Sequence, residues 1–284
     1  MIILCADDYA LTEGISRAIG ELAAAQRLSA TSVLVTSARW PAGAPRLSAH
    51  RGHLSVGLHL NLTVGPPLGS MPRLAPDGAF PGLQGLIARA LLGLLDHVEI
   101  EAEIVRQLDR FEQGMGAPPD HIDGHQHVHA LSGVRAVLLQ TVRQRYRSRP
   151  PLIRDPSDRL HTIKARGMAV PKALLVTALA VGFARSARRL GLPLNDSFAG
   201  FSNFDPRVAF AEELEKALLQ PGRRHIVMCH PGHPDAELAA VDAVVERRRL
   251  EYDALLRDGG LPARIWRPAR RADGPPLAWA DLQD

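Results

Sequence analysis

The densest group of chemically active side chains is the nine-residue segment HIDGHQHVH at positions 121–129, which holds four of the chain's twelve histidines and one aspartate. In an extended segment successive side chains point to opposite faces. One face would then carry His121, Asp123, His125, His127 and His129. Imidazoles at this spacing indicate a metal site, although a catalytic ion usually takes only about three protein ligands and keeps one position open. A polar stripe without a metal is the alternative interpretation.

Two adjacent carboxylates, Asp7 and Asp8, directly follow the apolar run at residues 2–6. Neighbouring carboxylates at the end of a buried strand raise each other's pKa unless a cation lies between them. The pair is therefore a candidate for metal binding or for proton transfer. A pair of helix N-cap residues is the alternative.

Two further histidines stand in similar places. His59 belongs to the segment LSVGLHLNL at 54–62, where alternation puts Gly57, His59 and Asn61 on the polar face. His230 follows an apolar run and precedes Pro231 and Gly232, which fix a turn. His59 alone would equally be a structural histidine, and His230 a hydrogen-bonded turn residue. In the functional interpretation, His59 faces an open site and His230 is a general acid or base.

Strand-like apolar runs alternate with helix-like segments along the chain, which predicts an α/β fold of parallel strands joined by crossover helices. Strands are predicted at residues 2–6, 31–36, 54–62, 121–123, 152–154, 197–199, 225–229 and 265–266. Helices are predicted at 15–22, at about 98–113, and from Asp205-Pro206 to about 219. Seven or eight such units fit a (β/α) barrel, with an open doubly wound sheet as the alternative. Residues 1–284 are predicted to form one domain.

In such a barrel the candidate residues would meet, because barrel active sites lie at the C-terminal ends of the strands. Four different strand ends supply Asp7, Asp8, His59, His125 and His230. One carboxylate and two imidazoles suit a Lewis-acidic divalent ion, which leaves a second carboxylate and a histidine for proton transfer. The constellation therefore predicts a metal-assisted hydrolase.

The 284-residue chain has a formal charge of +4, and 46% of its residues are hydrophobic, as in a folded globular protein. Arginines cluster at 143–149, 185–189, 247–249 and 267–271. We interpret them as solvated helix faces. Attraction to an anionic substrate, such as a phosphate-bearing glycan or a lipid surface, is the alternative, and nucleic acid is not expected because no binding motif accompanies the charge.

Membrane insertion and secretion are not expected. The longest apolar stretch, residues 173–184, is too short to span a bilayer and predicts a buried or interfacial helix. The apolar run at residues 2–5 is too short for a signal peptide. The two cysteines, Cys5 and Cys229, are too few for a disulfide scaffold, so we expect free, buried thiols and a cytoplasmic protein.

Six motifs, in this order, resemble those of the YdjC-like family of carbohydrate deacetylases, which includes chitooligosaccharide deacetylases and hopanoid-associated relatives. They are ADDY (6–9), GISRAI (14–19), SATS (29–32), VGLHLNLT (56–63), HIDGHQHVH (121–129) and CHPG (229–232). The resemblance implies a TIM-like (β/α) barrel, often irregular or seven-stranded. It also implies divalent-metal-dependent removal of an acetyl group from an N-acetylated sugar, either an oligosaccharide or a glycolipid.

The resemblance also implies roles for individual residues. The ligands of one Zn²⁺ or Mg²⁺ ion would be Asp8, His59 and His125. Asp7 would be the general base and His230 the general acid. Asp123 would orient a ligand imidazole, and Arg154 would hold the base or the substrate.

Residues 143–189 match no motif of the family, and we expect them to determine the substrate together with residues 64–82. A lipid- or phosphate-linked sugar would be consistent with the apolar stretch and the arginines in this part of the chain. Two other functions stay open: a metal-dependent phosphoesterase, and a metal- or sugar-binding protein without turnover. A homo-oligomer is also left open.

Overall fold

Seven parallel strands form one curled sheet, surrounded by helices, in the computed structural model, which describes residues 1–268. The strands are β1 (Ile3–Tyr9), β2 (Ala30–Val33), β3 (Ser55–Leu60), β4 (His121–Gly124), β5 (Leu152–Ile153), β6 (Ser197–Ala199) and β7 (His225–Cys229). Seven of the predicted strands are thus confirmed, and the limits of β6 and β7 are the predicted ones.

The helices within the described residues number twelve. They are α1 (Glu13–Ala24), α2 (Trp40–Ser48), α3 (Leu83–Leu91), α4 (His97–Met115), α5 (Val134–Arg145), α6 (Leu160–Arg166), α7 (Val170–Leu179), α8 (Phe183–Arg189), α9 (Phe210–Ala217), α10 (Ala236–Val241), α11 (Glu246–Arg257) and α12 (Leu261–Arg264). The single domain predicted for 1–284 includes residues 269–284, which lie outside the described residues, as does most of the arginine cluster at 267–271.

The strand order β5-β4-β3-β2-β1-β7-β6 leaves β5 and β6 as the two edges. A parallel bridge joins Ile153 of β5 to Leu194, just before β6. The N–H of Ile153 donates to the carbonyl of Pro193 at 2.9 Å, and the N–H of Asp155 donates to Oδ1 of Asn195 at 2.7 Å. The sheet therefore curls until its edges approach, which confirms the seven-stranded, irregular barrel and not the open doubly wound sheet.

The helices bury apolar stripes against the sheet. On α4, Ile100, Ile104, Leu108 and Phe111 recur every three or four residues and are fully buried. Burial of each such side chain contributes about 1.5–3 kcal/mol. The helix begins where the Asp96 side chain accepts from the N–H groups of residues 98 and 99, and it ends at Gly116 in the left-handed conformation.

The apolar stretch 173–184 differs from its prediction. It does not form one buried helix, because Gly182, with a φ of 86°, interrupts it and starts α8. In α7, Ala173 is buried and Leu175 is 58% exposed, so α7 lies at the surface. Within residues 1–268 no single helix is long and apolar enough to cross a membrane. The pair α7 and α8, which is bent by 43°, has sufficient length and apolar composition only when its two helices are taken together.

Two predictions for the C-terminal third were wrong in detail. The helix expected from Asp205-Pro206 begins instead at Phe210 and ends at Ala217. The Asp205 carboxylate accepts from the N–H of Arg207 at 2.9 Å and pairs with its guanidinium, so it stabilises a turn. The strand expected at 265–266 is reduced to one parallel bridge between Ile265 and Ile2.

The arginines of α11 also differ from expectation. Arg247 and Arg248 are each only 2% exposed and pair with buried carboxylates, whereas Arg249 is solvated. The interpretation of 247–249 as a solvated face was therefore wrong for two of its three residues. Cys5 and Cys229 are free and buried, as predicted.

Candidate active site

An irregularity in β1 places both adjacent carboxylates at the cavity. The register with β2 shifts between Ala6 and Tyr9, so that Asp7 and Asp8 together oppose one residue of the partner strand. Such a β-bulge redirects side chains that would otherwise alternate between the two faces. Asp8 has a φ of 72°, in the left-handed region that aspartate tolerates better than most residues. Both carboxylates therefore line the same cavity.

Asp8 meets two histidines from neighbouring elements. Oδ1 of Asp8 lies 2.9 Å from Nδ1 of His125 and 3.3 Å from Nε2 of His59. His59 is on β3, and His125 directly follows β4. The three ligand atoms lie within 4.8 Å of one another, and all three residues are buried. The structure thus brings together the three residues expected to bind a metal.

Asp123 orients the imidazole of His59. Nδ1 of His59 lies 2.6 Å from Oδ1 of Asp123, so Nδ1 carries the proton that is donated to the carboxylate. Nε2 is then the ring nitrogen that faces Asp8 and that would be free to bind a metal ion. Carboxylates commonly hold metal-ligating histidines in this way, fixing the tautomer and the ring orientation.

The electrostatics of this cluster favour a cation. Burial on its own lowers the pKa of His59, but Asp123 and Asp8 outweigh it and raise the pKa to about 10. Burial raises the pKa of Asp8, yet Arg248 and His125 hold it well below its usual range. An ionised carboxylate facing two imidazole nitrogens needs a proton or a metal ion between them. The donor set of one oxygen and two nitrogens fits a divalent ion, with Zn²⁺ matching better than Mg²⁺.

Two other groups of potential ligands lie deeper: Cys5 with His121 and Asp123, and Asp7 with His59 and Asp123. Both surround the guanidinium of Arg154. Nη2 of Arg154 is 2.5 Å from Oδ2 of Asp123 and 3.1 Å from Sγ of Cys5. A cation therefore already neutralises these groups, which leaves Asp8, His59 and His125 as the metal candidate.

Asp7 and Arg154 form a buried pair with two hydrogen bonds. Nη1 and Nη2 of Arg154 donate to Oδ2 and Oδ1 of Asp7 at 2.7 and 2.8 Å, and the Ser32 hydroxyl donates to Oδ1 at 3.1 Å. Burial raises the pKa of Asp7, but Arg154 reverses the effect and lowers the pKa below its usual value. Asp7 is therefore ionised at neutral pH. Arg154 lies behind Asp7 and is not among the residues that line the cavity.

His230 lies at the end of β7 and lines the same cavity. Its backbone N–H donates to Oε2 of Glu251 at 2.6 Å, and its ring packs edge-on against Phe204 with centroids 5.4 Å apart. Burial lowers the pKa of His230 to about 4 despite the nearby Asp8. The imidazole is therefore neutral at pH 7 in the free protein.

The histidine segment is extended only as far as Gly124. A 3-10 turn follows, in which Gln126 and His127 have positive φ, so the expected common face of five residues was wrong. His121 packs where a Cβ at Gly57 would lie 2.4 Å from its ring, and His129 contacts the carbonyl of Arg154 at 2.8 Å. His127 packs against Phe201. Only His125 of the segment joins Asp8 and His59 in a group of potential metal ligands.

The cavity has a volume of about 340 Å³, a polar floor and apolar walls. The floor includes Asp7, Asp8, His59, His125 and His230. The walls include Leu83 and Ile87 of α3, Leu175, Val176 and Leu179 of α7, and Phe201 and Phe204. Among the described residues, none from 64–82 and none from the arginine clusters 143–149 and 185–189 lines it. Of residues 143–189, those that line the cavity all belong to α7, so α7 is the part of this segment that can contact a substrate there. The structure gives no support to the substrate-determining role expected of residues 64–82.

Sequence reasoning missed two residues that touch the site from α11. Arg248 lines the cavity and pairs with Asp8, and Glu251 holds the backbone of His230. Burial raises the pKa of Glu251 to about 7. The available signal was the position of Glu251, three residues after Arg248 and four after Arg247, which makes it a neighbour of both on the helix surface. Such a pattern is usually solvated, which is why it was not recognised.

The chain is similar in sequence to known proteins. The family model described as YdjC-like protein matches residues 1–259. The carbohydrate deacetylase of Homo sapiens is 30% identical over 252 residues, covering 82% of this chain and 75% of the human protein. The chitooligosaccharide deacetylase of Yersinia pestis (strain Pestoides F) is 32% identical over 238 residues, covering 84% of each chain.

Among solved structures, a protein of Enterococcus faecalis V583 named for cellobiose-phosphate cleavage superposes with a TM-score of 0.67. It is 20% identical, and the superposition covers 90% of each chain. At this identity the similarity concerns the fold alone.

Proposed function

Because the chain belongs to the YdjC-like protein family, we propose that it is a carbohydrate N-deacetylase, a hydrolase that removes the acetyl group from an N-acetylated amino sugar. The observation that carries the proposal is the meeting of Asp8, His59 and His125 beside the ionised Asp7 in one cavity. The human and Yersinia relatives are named deacetylases. A hydrolase of this kind needs a metal site, a proton acceptor and a proton donor, and this cavity has a candidate for each.

We assign Asp8, His59 and His125 as the ligands of one divalent ion. When bound, the ion supplies Lewis acidity, which polarises the acetamide carbonyl and lowers the pKa of a water molecule. The chain's part is to orient the ligands, and Asp123 does so for His59. The buried position of the three ligands keeps bulk water away and strengthens their electrostatic interactions.

Asp7 accepts a proton from the attacking water in this proposal. Arg154 keeps its carboxylate ionised and fixes its plane through two hydrogen bonds. Each carboxylate oxygen has two lone pairs, so Asp7 can accept a further hydrogen bond while Arg154 stays bound. Arg154 thus acts by holding the base and does not itself reach the cavity.

His230 delivers a proton to the departing amine. This proton comes from the attacking water. Hydrolysis of the amide at neutral pH yields acetate and an ammonium group, and the two hydrogens that the nitrogen gains are those of the water. His230 starts neutral because burial lowers its pKa to about 4. It therefore gains its proton during the reaction and passes it on to the nitrogen as the C–N bond breaks.

The cavity walls favour a sugar attached to an apolar group. Leu83 and Ile87 of α3 face the cavity, as do Leu175, Val176 and Leu179 of α7. Aliphatic walls stabilise a bound apolar group, because its surface is removed from water. They offer few hydrogen bonds to the hydroxyl groups of a sugar ring. We therefore propose a glycolipid ahead of a free oligosaccharide. Within the described residues Lys172 and Arg248 are the lysine and arginine of the lining, and Arg248 is paired with Asp8 and Asp242. The arginine clusters at 143–149 and 185–189 do not line the cavity and give no support to a phosphate-bearing substrate.

The experiment is acetate release from a panel of N-acetylated sugars, with and without added Zn²⁺ or Mg²⁺, on lipid-linked N-acetylhexosamine, phosphate-linked N-acetylhexosamine and chitobiose. We expect metal-dependent release, fastest from the lipid-linked sugar. Equal or faster turnover of chitobiose would reject the apolar aglycone and keep the deacetylase. Fastest turnover of the phosphate-linked sugar, with an advantage that shrinks as salt increases, would assign the arginines a role. Phosphate-ester cleavage without acetate release would support a phosphoesterase.

The cytoplasmic location and a homo-oligomer stay predictions.

A further inference from the structure

The two carboxylate oxygens of Asp8 have different partners. Oδ1 faces His59 and His125, at 3.3 and 2.9 Å. Oδ2 accepts a hydrogen bond from Nη2 of Arg248 at 2.6 Å. Asp8 and Arg248 are separated by 240 residues in the chain, and both side chains are 3% exposed. The carboxylate is therefore held from one side and directed towards the histidines on the other.

Arg248 is itself anchored by a second carboxylate. Its Nη2 lies 2.6 Å from Oδ2 of Asp242, and its Nε donates to the same oxygen and to the carbonyl of Val244, each at 3.2 Å. Its backbone carbonyl accepts from the N–H of Gly232 at 3.0 Å, which ties α11 to the turn after His230. The guanidinium thus has a fixed place between Asp8 and Asp242.

Resting on the metal centre of the proposed function, we propose that Arg248 is a positioning residue for Asp8. By holding Oδ2, the guanidinium fixes the carboxylate with Oδ1 directed towards His59 and His125, so that Asp8 would bind the ion through Oδ1. Asp242 keeps the guanidinium in place. Without Arg248, the Asp8 carboxylate would no longer be held towards His59 and His125, so binding of the ion would also have to fix its orientation, and Oδ2 would be free to turn towards the ion.

The test measures metal binding and does not depend on a substrate. The purified full-length protein and its variants are titrated with Zn²⁺ against a chromophoric chelator, and with Co²⁺, whose d–d absorption reports the coordination number and geometry. Arg248→Gln should weaken Zn²⁺ binding by about 10- to 100-fold, the range for groups that orient metal ligands. The cobalt spectrum should change because Oδ2 becomes free.

Two further variants separate positioning from charge and from surface effects. Arg248→Lys keeps the positive charge but cannot contact both carboxylates with a planar fork, so Zn²⁺ affinity should recover only in part. Arg249→Gln is the matched control: Arg249 is the next residue of α11, its side chain is 57% exposed, and its acidic neighbours Glu246 and Asp253 are on the same helix. It should bind both ions as the wild type does.

Zn²⁺ affinity within about twofold of wild type in Arg248→Gln, with an unchanged cobalt spectrum, would overturn the proposal. If that variant does not fold, Asp242→Asn replaces it, because the Asp242 side chain is 22% exposed and removal of its charge is less disruptive. This variant should weaken Zn²⁺ binding in the same direction, and unchanged affinity would again reject Arg248 as a positioning residue. Wild-type protein that binds neither ion would instead reject the metal centre, and the positioning role with it.

Discussion

Nδ1 of His59 donates to Oδ1 of Asp123 across 2.6 Å, and this one contact decides which nitrogen of His59 faces Asp8. Asp123 is in turn held by Nη2 of Arg154 at 2.5 Å, which also reaches Asp7. Arg154 thus lies between a carboxylate that orients a candidate metal ligand and the candidate base. The metal site and the proton acceptor share one cation and should be perturbed together when it is removed.

The first prediction concerns metal content. His59→Ala removes one of three proposed ligands and should strip most bound Zn²⁺, as measured by elemental analysis after dialysis, while circular dichroism shows a retained fold. His161→Ala, at an exposed position of α6, is the matched control and should keep its metal. Undiminished metal in His59→Ala would show that the ligand set is wrong.

The second prediction concerns the base. Asp7→Asn should lower kcat for acetate release by at least about 10²-fold, the scale of a lost general base. Metal content should persist, because Asp7 is not among the three proposed ligands. Asp109→Asn, where the side chain is 59% exposed and pairs with Arg145, controls for a lost carboxylate charge and should leave kcat unchanged. Near-normal turnover in a folded Asp7→Asn protein would remove Asp7 from the mechanism.

The third prediction concerns the acid. His230→Ala should also lower kcat by at least about 10²-fold with metal retained. A substrate with a good leaving group, such as an N-acetylated aniline glycoside, needs less protonation of its nitrogen. His230→Ala should therefore lose less activity on this substrate than on an N-acetylated amino sugar. His233→Gln in the same turn is the control, since His233 contacts Glu21 at 2.8 Å and does not line the cavity. Equal losses on both substrates would argue against proton donation by His230.

The fourth prediction concerns stability at acid pH. His225 is fully buried, its Nε2 contacts the carbonyl of Ala217 at 2.9 Å and its Nδ1 contacts the Ser197 hydroxyl at 2.6 Å. Burial lowers the pKa of His225 to about 4, below the value near 6.5 of an unfolded histidine. Between these values the unfolded chain binds the extra proton. The stabilisation is therefore complete above about pH 6.5 and is lost as the pH falls towards 4.

His225 should accordingly account for a loss of roughly 2 kcal/mol in the free energy of unfolding between pH 7 and pH 5. In His225→Gln, denaturant unfolding should depend less steeply on pH by about this amount. His161→Gln, an exposed replacement, should follow the wild type. The same slope in wild type and His225→Gln would show that His225 does not titrate as its burial requires.

The general position of the site could be predicted from the sequence because its residues follow apolar runs that read as strands. Parallel strands in a barrel bring their C-terminal ends together, so His59, His125 and His230 had to approach one another once the strands were assigned. The order of strand-like and helix-like segments likewise predicted parallel strands in a barrel of seven or eight units, with an open sheet as the alternative. These inferences depend only on local periodicity and on a general rule of topology.

What could not be predicted depends on local backbone irregularity and on contacts distant in sequence. The 3-10 turn after Gly124 requires two successive left-handed residues, Gln126 and His127, which no spacing rule indicates. The partner of Asp8 is Arg248, and nothing short of the folded chain relates the two. The apolar stretch at 173–184 could be recognised in the sequence, but nothing in its composition indicated that Leu175, Val176 and Leu179 line the cavity.

The bulge in β1 has a consequence for anyone who would transplant this site. Copying Asp7, Asp8, His59 and His125 onto a regular barrel strand would aim one aspartate into the barrel and the other into the helical layer, because neighbouring side chains alternate. The extra residue opposite β2 and the left-handed backbone at Asp8 must be transferred too. A replacement at position 8 must also tolerate that backbone, which makes glycine or asparagine a gentler exchange than the longer glutamate. Transfer of this site therefore requires the irregular backbone of β1 as well as its side chains.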